Sequence, residues 1–470
     1  MLNGSMLKAV WHLIWHVSLR IDDMGSDELV QIQARSKSLS IFWRRVLRAG
    51  GWSVLAHGGN QIFRFLGNLV LTRLLFPEAF GLMALVQIVL FGINMFSDFG
   101  IGPSIVQSAH GRDRRFLNTA WSVQVLRGLS VWVVLCAVAY PVAMFYEQPQ
   151  LIYLIPTVGF VSVIDGVVPT AIHLANRDLN VKLMSLIDLS SYLVGLIVMV
   201  VVAWVTASVW SLVVGGLISS VVRCVFVYWF CGGGDKFYLD SDNLKLIFGF
   251  GGWIFVSSIF TFVAVEGARL YIGRALDVEY LAFYTIAYFL CVMYTQLAGQ
   301  VFGRVFFPAI AEINRVDSRG VGGVVFKLRA VVVLPSVILG YLLSFYGSEL
   351  VAFLYDSRYV EAGRILEIIS LGVVASGLSA SFNGLLLAVG KARFATVNTA
   401  IQAVVQMCCL YVGYSFFGVD GLFYGVAVSS WIVYLLQSVV VRAGGFFLWR
   451  FDLFVVLLSF PIFYFMVLCK

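Results

Sequence analysis

Four arginines, Arg64, Arg127, Arg223 and Arg269, lie inside long apolar runs, where a charge at a bilayer centre costs about 2.5–3.5 kcal/mol on insertion scales. Only Asp165 and Glu266 sit as deep among the acids, while Asp98 and Asp188 fall near the ends of runs. Four positive groups against two negative ones leave a surplus that calls for an external anion. The guanidinium suits that task, because its planar fork donates two parallel hydrogen bonds to a phosphate or carboxylate and never deprotonates. Around Arg64 the sequence reads HGGNQIFRFLGNLVLTR. Wound as a helix, Ser53, His57, Asn60, Gln61, Arg64, Asn68 and Thr72 share an arc of about 120°, so the segment has one wet stripe and one apolar face. Gln124 and Arg127, three apart, offer a second polar face. Asp165, Glu266 and His57 are the groups able to take a proton or ion.

Each of these residues has a plainer use. Arg64 can pair with Asp165 or Glu266 across the bundle, and Arg269 with Glu266 at i,i+3 spacing. Arg223, about two turns from a span end, can snorkel outward. His57 can be a neutral, hydrogen-bonded histidine. His12 and His16 have metal-compatible spacing but no third ligand, and the seven cysteines form no CxxC pair, so no metal or disulfide framework is expected.

The elements that must hold these side chains follow from composition. The chain of 470 residues is 60% hydrophobic and 12% charged, against about a quarter charged in soluble domains, and its mean hydropathy is +0.93. Runs of about 20 apolar residues recur and predict a polytopic all-α membrane protein. Spans are expected near 50–73, 80–97, 117–141, 151–172, 184–206, 209–230, 247–273, 280–301, 329–346, 365–388, 395–416, 421–441 and 452–469. A β-barrel would need alternation of polar and apolar residues, which LVGLIVMVVVAWV lacks. With the N-terminus cytoplasmic, connectors on that side carry 16 Lys and Arg and the tail 7, against 5 on the other side, and this bias predicts the orientation. The net charge of +7 is that bias, so nucleic acid need not be invoked. The tail 1–48 has no cleavage site and is read as cytoplasmic or interfacial.

An internal repeat organises the spans. Gly51 and Gly252, Trp52 and Trp253, Arg73 and Arg274, and Glu78 and Glu279 are all 201 residues apart. Shared membrane composition explains apolar matches but not Gly-Gly-Trp, Arg and Glu in one register. Two lobes follow, 49–231 and 247–442, each of six spans, joined by a linker at 232–246 and trailed by an extra span in 443–470. Six is even, so the lobes have the same orientation, and such repeats place a substrate path between them.

The runs TRLLFPEAFGLMALV, FSDFGIGPSIVQ, FGFGGWIFVSS, LYIGRALDVEYLAFYTIAYFL, VFFPAIAEI and ILEIISLG together resemble the Wzx-type oligosaccharide and polysaccharide flippases of the multidrug/oligosaccharidyl-lipid/polysaccharide superfamily. The likeness covers roughly Leu47 to Arg442. It implies a MATE-like fold of two six-helix bundles around a cavity that opens alternately to each side. It also implies the substrate, an undecaprenyl-pyrophosphate-linked oligosaccharide repeat unit of O-antigen, exopolysaccharide or capsule, and a bacterial inner membrane location. Polymerase and chain-length proteins of the same pathway are the partners such a substrate suggests. Members often read Asp-Arg near the end of span 7, whereas this chain has Ala268 before Arg269 and its acid at Glu266. The expected substrate-binding set is Asn60, Gln61, Arg64, Asn68, Gln124, Arg127, Arg223 and Arg269. No GxxxxGK[ST] motif occurs, so no cofactor is expected and an ion gradient or membrane potential is the expected drive. The alternatives are a lipid II-type flippase, a multidrug exporter of the same superfamily, or a membrane glycan polymerase. An exporter of cations calls for an acidic cavity, and a polymerase for a large external loop.

Overall fold

The computed structural model describes residues 58–459 apart from 60, 99, 109–110, 179, 242, 245–250, 302–320, 389–391, 444–451 and 458. Among these residues the structure is helical, with no strand. Helix α1 covers 61–74. It is followed by α2 (Pro77–Phe96), α3 (Ile101–Gln107), α4 (Arg114–Phe145), α5 (Leu151–Gly159), α6 (Val161–Gly166), α7 (Ala171–Arg177), α8 (Val181–Thr206) and α9 (Trp210–Cys231). The second series is α10 (Gly251–Ala275), α11 (Val278–Val301), α12 (Val321–Leu354), a 3-10 turn at Ser357–Tyr359, α13 (Val360–Ser370), α14 (Val373–Ala388) and α15 (Ala392–Ala443). A short α16 covers 452–457.

Runs rich in Val, Ile and Phe would favour strands in water. They wind as helices here because only a helix satisfies every backbone group within one segment in lipid. Seven helices among the described residues are long and apolar enough to cross a bilayer, or eight if the bent pair Ser357–Ser370 and Val373–Ala380 is one span. Every expected span from 50–73 to 421–441 has a helix or a broken helix at its place. The two spans expected at 395–416 and 421–441 form one hairpin within α15. Gly418 turns the chain with φ 65° and ψ −145°, a region that favours glycine. The two arms approach until a Cβ on Gly413 would lie 2.1 Å from the Gly421 carbonyl oxygen. The span expected at 151–172 is broken into α5, α6 and the start of α7.

The repeat is visible in the backbone. Helix α2 starts at Pro77 and α11 at Val278, and 278 − 77 = 201, the offset of the sequence echoes. Proline at the first helical position holds Phe76 extended, with φ −75° and ψ 155°, and ends α1. Glu78 and Glu279 occupy the first turns of α2 and α11, near enough for each carboxylate to lie in the other's field. The two lobes therefore meet through equivalent helices. At that seam a Cβ on Gly81 would lie 2.1 Å from the Val278 carbonyl oxygen, so only glycine permits the approach. Leu85 and Ile88 of α2 pack with Leu135, Leu151, Ile272 and Leu281 in a core drawn from both lobes.

One charge expected in a connector lies elsewhere. Arg329 belongs to α12, is fully buried, and makes a two-pronged ion pair with Asp452 of α16, at 3.1 Å and 2.5 Å. The trailing segment is thus fastened to the second lobe by a buried pair, since neither charge has water to turn to.

Candidate functional site

A cavity of about 350 Å³ opens inside the first lobe, among α2, α3, α4, α6, α7 and α9. Its polar lining includes Asn94, Asp98, Gln124, Arg127, Ser162, Asp165, His173 and Arg223. The break between α6 and α7 creates it. Pro169 lacks an N–H and interrupts the helix ladder, which leaves carbonyls without helical partners. The Gln124 side-chain amide donates to three of the oxygens around the break, those of Asp165, Gly166 and Val168, at 3.0, 3.2 and 3.1 Å. The Trp121 indole and the Tyr228 hydroxyl donate to Val167 O at 3.3 and 3.1 Å. Thr170 donates through its backbone N–H and its hydroxyl to the Asp235 carboxylate. Irregular backbone at membrane depth is tolerated where protein groups satisfy it in this way.

The two arginines of the cavity are held differently. Arg127 donates to Asn94 O at 2.8 Å and to Ser97 Oγ at 3.2 Å, with Asp98 and Asp165 in its field. Arg223 donates to Asp188 at 2.9 Å and stands 3.7 Å from Asp165. The outward snorkelling weighed for Arg223 is replaced by this pairing. Asp165 is half exposed to the cavity, and it meets Arg223, not Arg64. The positive surplus expected for the span interior is absent from this cavity, where Asp98, Asp165 and Asp188 answer Arg127 and Arg223.

The other expected residues fall on different surfaces. Gln61 is buried and hydrogen-bonds Gln296 of α11, and Asn68 donates to Tyr355 Oη at 3.5 Å. The polar stripe of α1 therefore faces the second lobe. Arg64 sits between these two contacts, exposed, and among the described residues it has neither a hydrogen bond nor an ion pair. Thr72, at the end of the stripe, is fully buried and donates to Leu69 O. Arg269 pairs with Glu266 at 3.2 Å, and its guanidinium lies 5.2 Å from the centre of the Tyr288 ring. That pair sits apart from the first-lobe cavity, so Arg269 does not join Arg127 and Arg223. His57 and Asn60 lie outside the described residues.

Several contributors carried no signal that spacing exposes. His173 and Asp98 lie just beyond the expected spans 151–172 and 80–97, where polar residues are ordinary. The clasp at one end of the bundle rests on the stretch DSRY, which reads as a simple loop. Asp356 caps the 3-10 turn by accepting from Arg358 N at 3.0 Å and also binds Arg358 Nε at 2.9 Å. Arg358 in turn donates to the carbonyls of Thr72 and Arg73 at 3.4 and 3.0 Å, and stands 5.0 Å from the Phe76 ring centre. Tyr359, fully buried, donates to Leu75 O at 3.0 Å. The last carbonyls of α1 lack helical partners, and the second lobe supplies the donors. The lobes are thereby closed at the end that holds Arg73 and Arg274.

Two like-built helical lobes, closed together at one end, make a MATE-like two-lobe bundle. Solved structures agree. The chain superposes on an inward-facing multidrug resistance MATE family transporter with a TM-score of 0.65 at 12% identity, over 86% of this chain and 99% of that one. It superposes on the lipid II flippase MurJ in an inward closed conformation with a TM-score of 0.67 at 11% identity, over 90% and 91%. Residues 70–362 match the family model described as polysaccharide biosynthesis protein, and the chain belongs to that family. Among its relatives are an uncharacterized membrane protein in the cps region of Klebsiella pneumoniae, 23% identical over 57% of this chain and 56% of the relative, and the lipopolysaccharide biosynthesis protein WzxC of Escherichia coli (strain K12), 25% identical over 52% and 50%. A third is the succinoglycan biosynthesis transport protein ExoT of Rhizobium meliloti (strain 1021), 22% identical over 57% and 54%. The chain spans about half the length of the relatives it matches.

Proposed function

We propose that this protein is a flippase that carries an undecaprenyl-pyrophosphate-linked oligosaccharide repeat unit across the bacterial inner membrane by alternating access. The observation that carries the reading is Arg64. It is a span arginine on the wall that faces the opposite lobe, exposed and without an acidic partner among the described residues, and a diphosphate supplies the missing charge. On this reading Gln61 and Asn68 flank Arg64 on α1, and Gln124, Arg127 and Arg223 of the first-lobe cavity extend the polar path. Relatives named for lipopolysaccharide and succinoglycan biosynthesis support the substrate class.

On this reading the lobes are 49–231 and 247–442, the N-terminus is cytoplasmic, and the clasped end at Arg358 is periplasmic. The drive is an ion gradient or the membrane potential, with Asp165, Glu266 and His57 as coupling groups, and the chain is a transporter and not an enzyme. A lipid II-type flippase is the second reading, supported by the MurJ-like fold, because a lipid II head presents the same diphosphate.

The test is complementation of a strain deleted for this gene, at matched protein levels. Arg64→Ala is expected to abolish surface glycan, and Arg64→Lys to restore part of it. Normal glycan output from Arg64→Ala sinks the proposal. Rescue of a strain depleted of its lipid II flippase would favour the second reading.

A further inference from the structure

The second lobe contains a cavity of its own, of about 300 Å³, bounded by α10, α11, α13, α14 and α15. Its chemistry differs from that of the first-lobe cavity, because among the described residues no Asp, Glu, Lys, Arg or His lines it. Gln402 and Gln406, four apart and on one face of α15, line it, and neither amide has a hydrogen bond among the described residues. The Ser379 hydroxyl is buried and equally without a partner. Ser429, Ser430 and Thr295 donate into their own helices, so each keeps acceptor lone pairs for the cavity. One wall is aromatic: Tyr284 and Tyr288 of α11 are stacked, with ring centres 5.6 Å apart. The nearby Glu266 and Arg269 pair with each other at 3.2 Å, and the Arg269 guanidinium lies 5.2 Å from the centre of the Tyr288 ring.

An anion finds no positive partner in such a cavity, and a hard cation finds no carboxylate among its oxygens. An apolar molecule would strand the two amides and the Ser379 hydroxyl, and buried polar groups left unpaired are costly. What fits is a group that both donates and accepts in several directions and also carries C–H faces for an aromatic wall. Sugar hydroxyls on a pyranose ring have that pattern. The volume lies at the small end of the ligand-cavity range of about 300–1,000 Å³, on the order of one sugar ring.

We propose that the second-lobe cavity is a binding subsite for a neutral sugar residue, held by Gln402, Gln406 and Ser379 against the Tyr288 wall. This rests on the flippase reading and divides the substrate between the lobes. The diphosphate goes to the arginine side and a neutral part of the glycan to the amide side.

The test uses full-length protein in lipid nanodiscs and saturation-transfer difference NMR with neutral methyl glycosides of glucose, galactose and N-acetylglucosamine. At least one is expected to give signal, lost about tenfold or more in Gln402→Leu/Gln406→Leu, as expected for two deleted hydrogen-bonding groups. Melting temperature checks that the double variant folds, and Ser376→Ala/Ser379→Ala serves as the second variant if it does not. No signal from any glycoside overturns the subsite, as does signal unchanged in the variants. Signal displaced by inorganic pyrophosphate overturns its neutral character, and signal seen with sodium but not choline chloride makes it a cation site. In cells, glycan export that is lost in Arg64→Ala yet normal in Gln402→Leu/Gln406→Leu removes the subsite and leaves the flippase reading standing. Normal export from Arg64→Ala removes the flippase reading itself.

Discussion

Arg64 and Arg223 carry the same charge in opposite circumstances. Arg223 is bound by Asp188 and Asp165, with side chains between a third and a half exposed, so it contributes to folding. Arg64 touches no acid among the described residues and contributes little to it. Arg223→Ala is therefore expected to lower stability by about 1 kcal/mol, since partly solvated pairs are screened, whereas Arg64→Ala stays within about 0.5 kcal/mol. Thermal melts of the purified variants in detergent separate the two. A large destabilisation by Arg64→Ala would mean that it holds the bundle together. Sequence spacing marked both arginines but gave no means of telling them apart. Which acid lies opposite an arginine is set by helix packing, and Asp165 lay within reach of several helices on paper.

At the scale of elements, two attachments decide how the second lobe is held. The Arg329–Asp452 pair fastens α16 to α12 with both side chains essentially buried. Asp452→Ala leaves a buried guanidinium uncompensated and is expected to cost about 3–5 kcal/mol, while replacing both partners by Met and Leu recovers most of that. Unfolding of the three variants in detergent measures it, and equal losses from single and double replacements would refute the pairing argument. The other attachment is the 3-10 turn. Hydrogen bonds from the Arg358 side chain and backbone hold the Asp356 carboxyl below the usual carboxylate range. A depressed folded-state value stabilises the clasp above the ordinary carboxylate value, and the contribution fades as pH falls through the lowered one. The clasp is accordingly insensitive to pH near neutrality. Asp356→Ala and Arg358→Ala are each expected to expose the end of α1, read as faster labelling of a cysteine placed at Arg73 by a membrane-impermeant maleimide. Unchanged labelling would show that Tyr359 and the seam suffice. Hydropathy located α12 and the helices after it, but it could not show that Arg329 leaves the connector, because a buried pair and a solvated pair have the same sequence.

At the scale of the whole molecule, the seam between α2 and α11 sets which end is closed. A Cβ at position 81 collides with the Val278 carbonyl, so Gly81→Val is expected to favour conformers in which that end is open. Distances between spin labels on α1 and α13 should lengthen, and an unchanged distribution would show that the seam yields without opening.

Composition and period alone determined that the chain is a helical membrane protein, because lipid offers no partner for unpaired backbone and the apolar runs are long enough to cross. The constant offset of 201 between echoes likewise fixed that α1 and α10, and α2 and α11, are equivalent. Tertiary structure alone decided the sites. It drew Gln124 into the repair of a broken helix, tied Arg269 to Glu266, added His173 and Asp98 to the first cavity, and set Gln402 and Gln406 in the lining of the second. Those outcomes depend on which groups meet across the bundle, and a helix sequence specifies its own faces but not the partner each face will find.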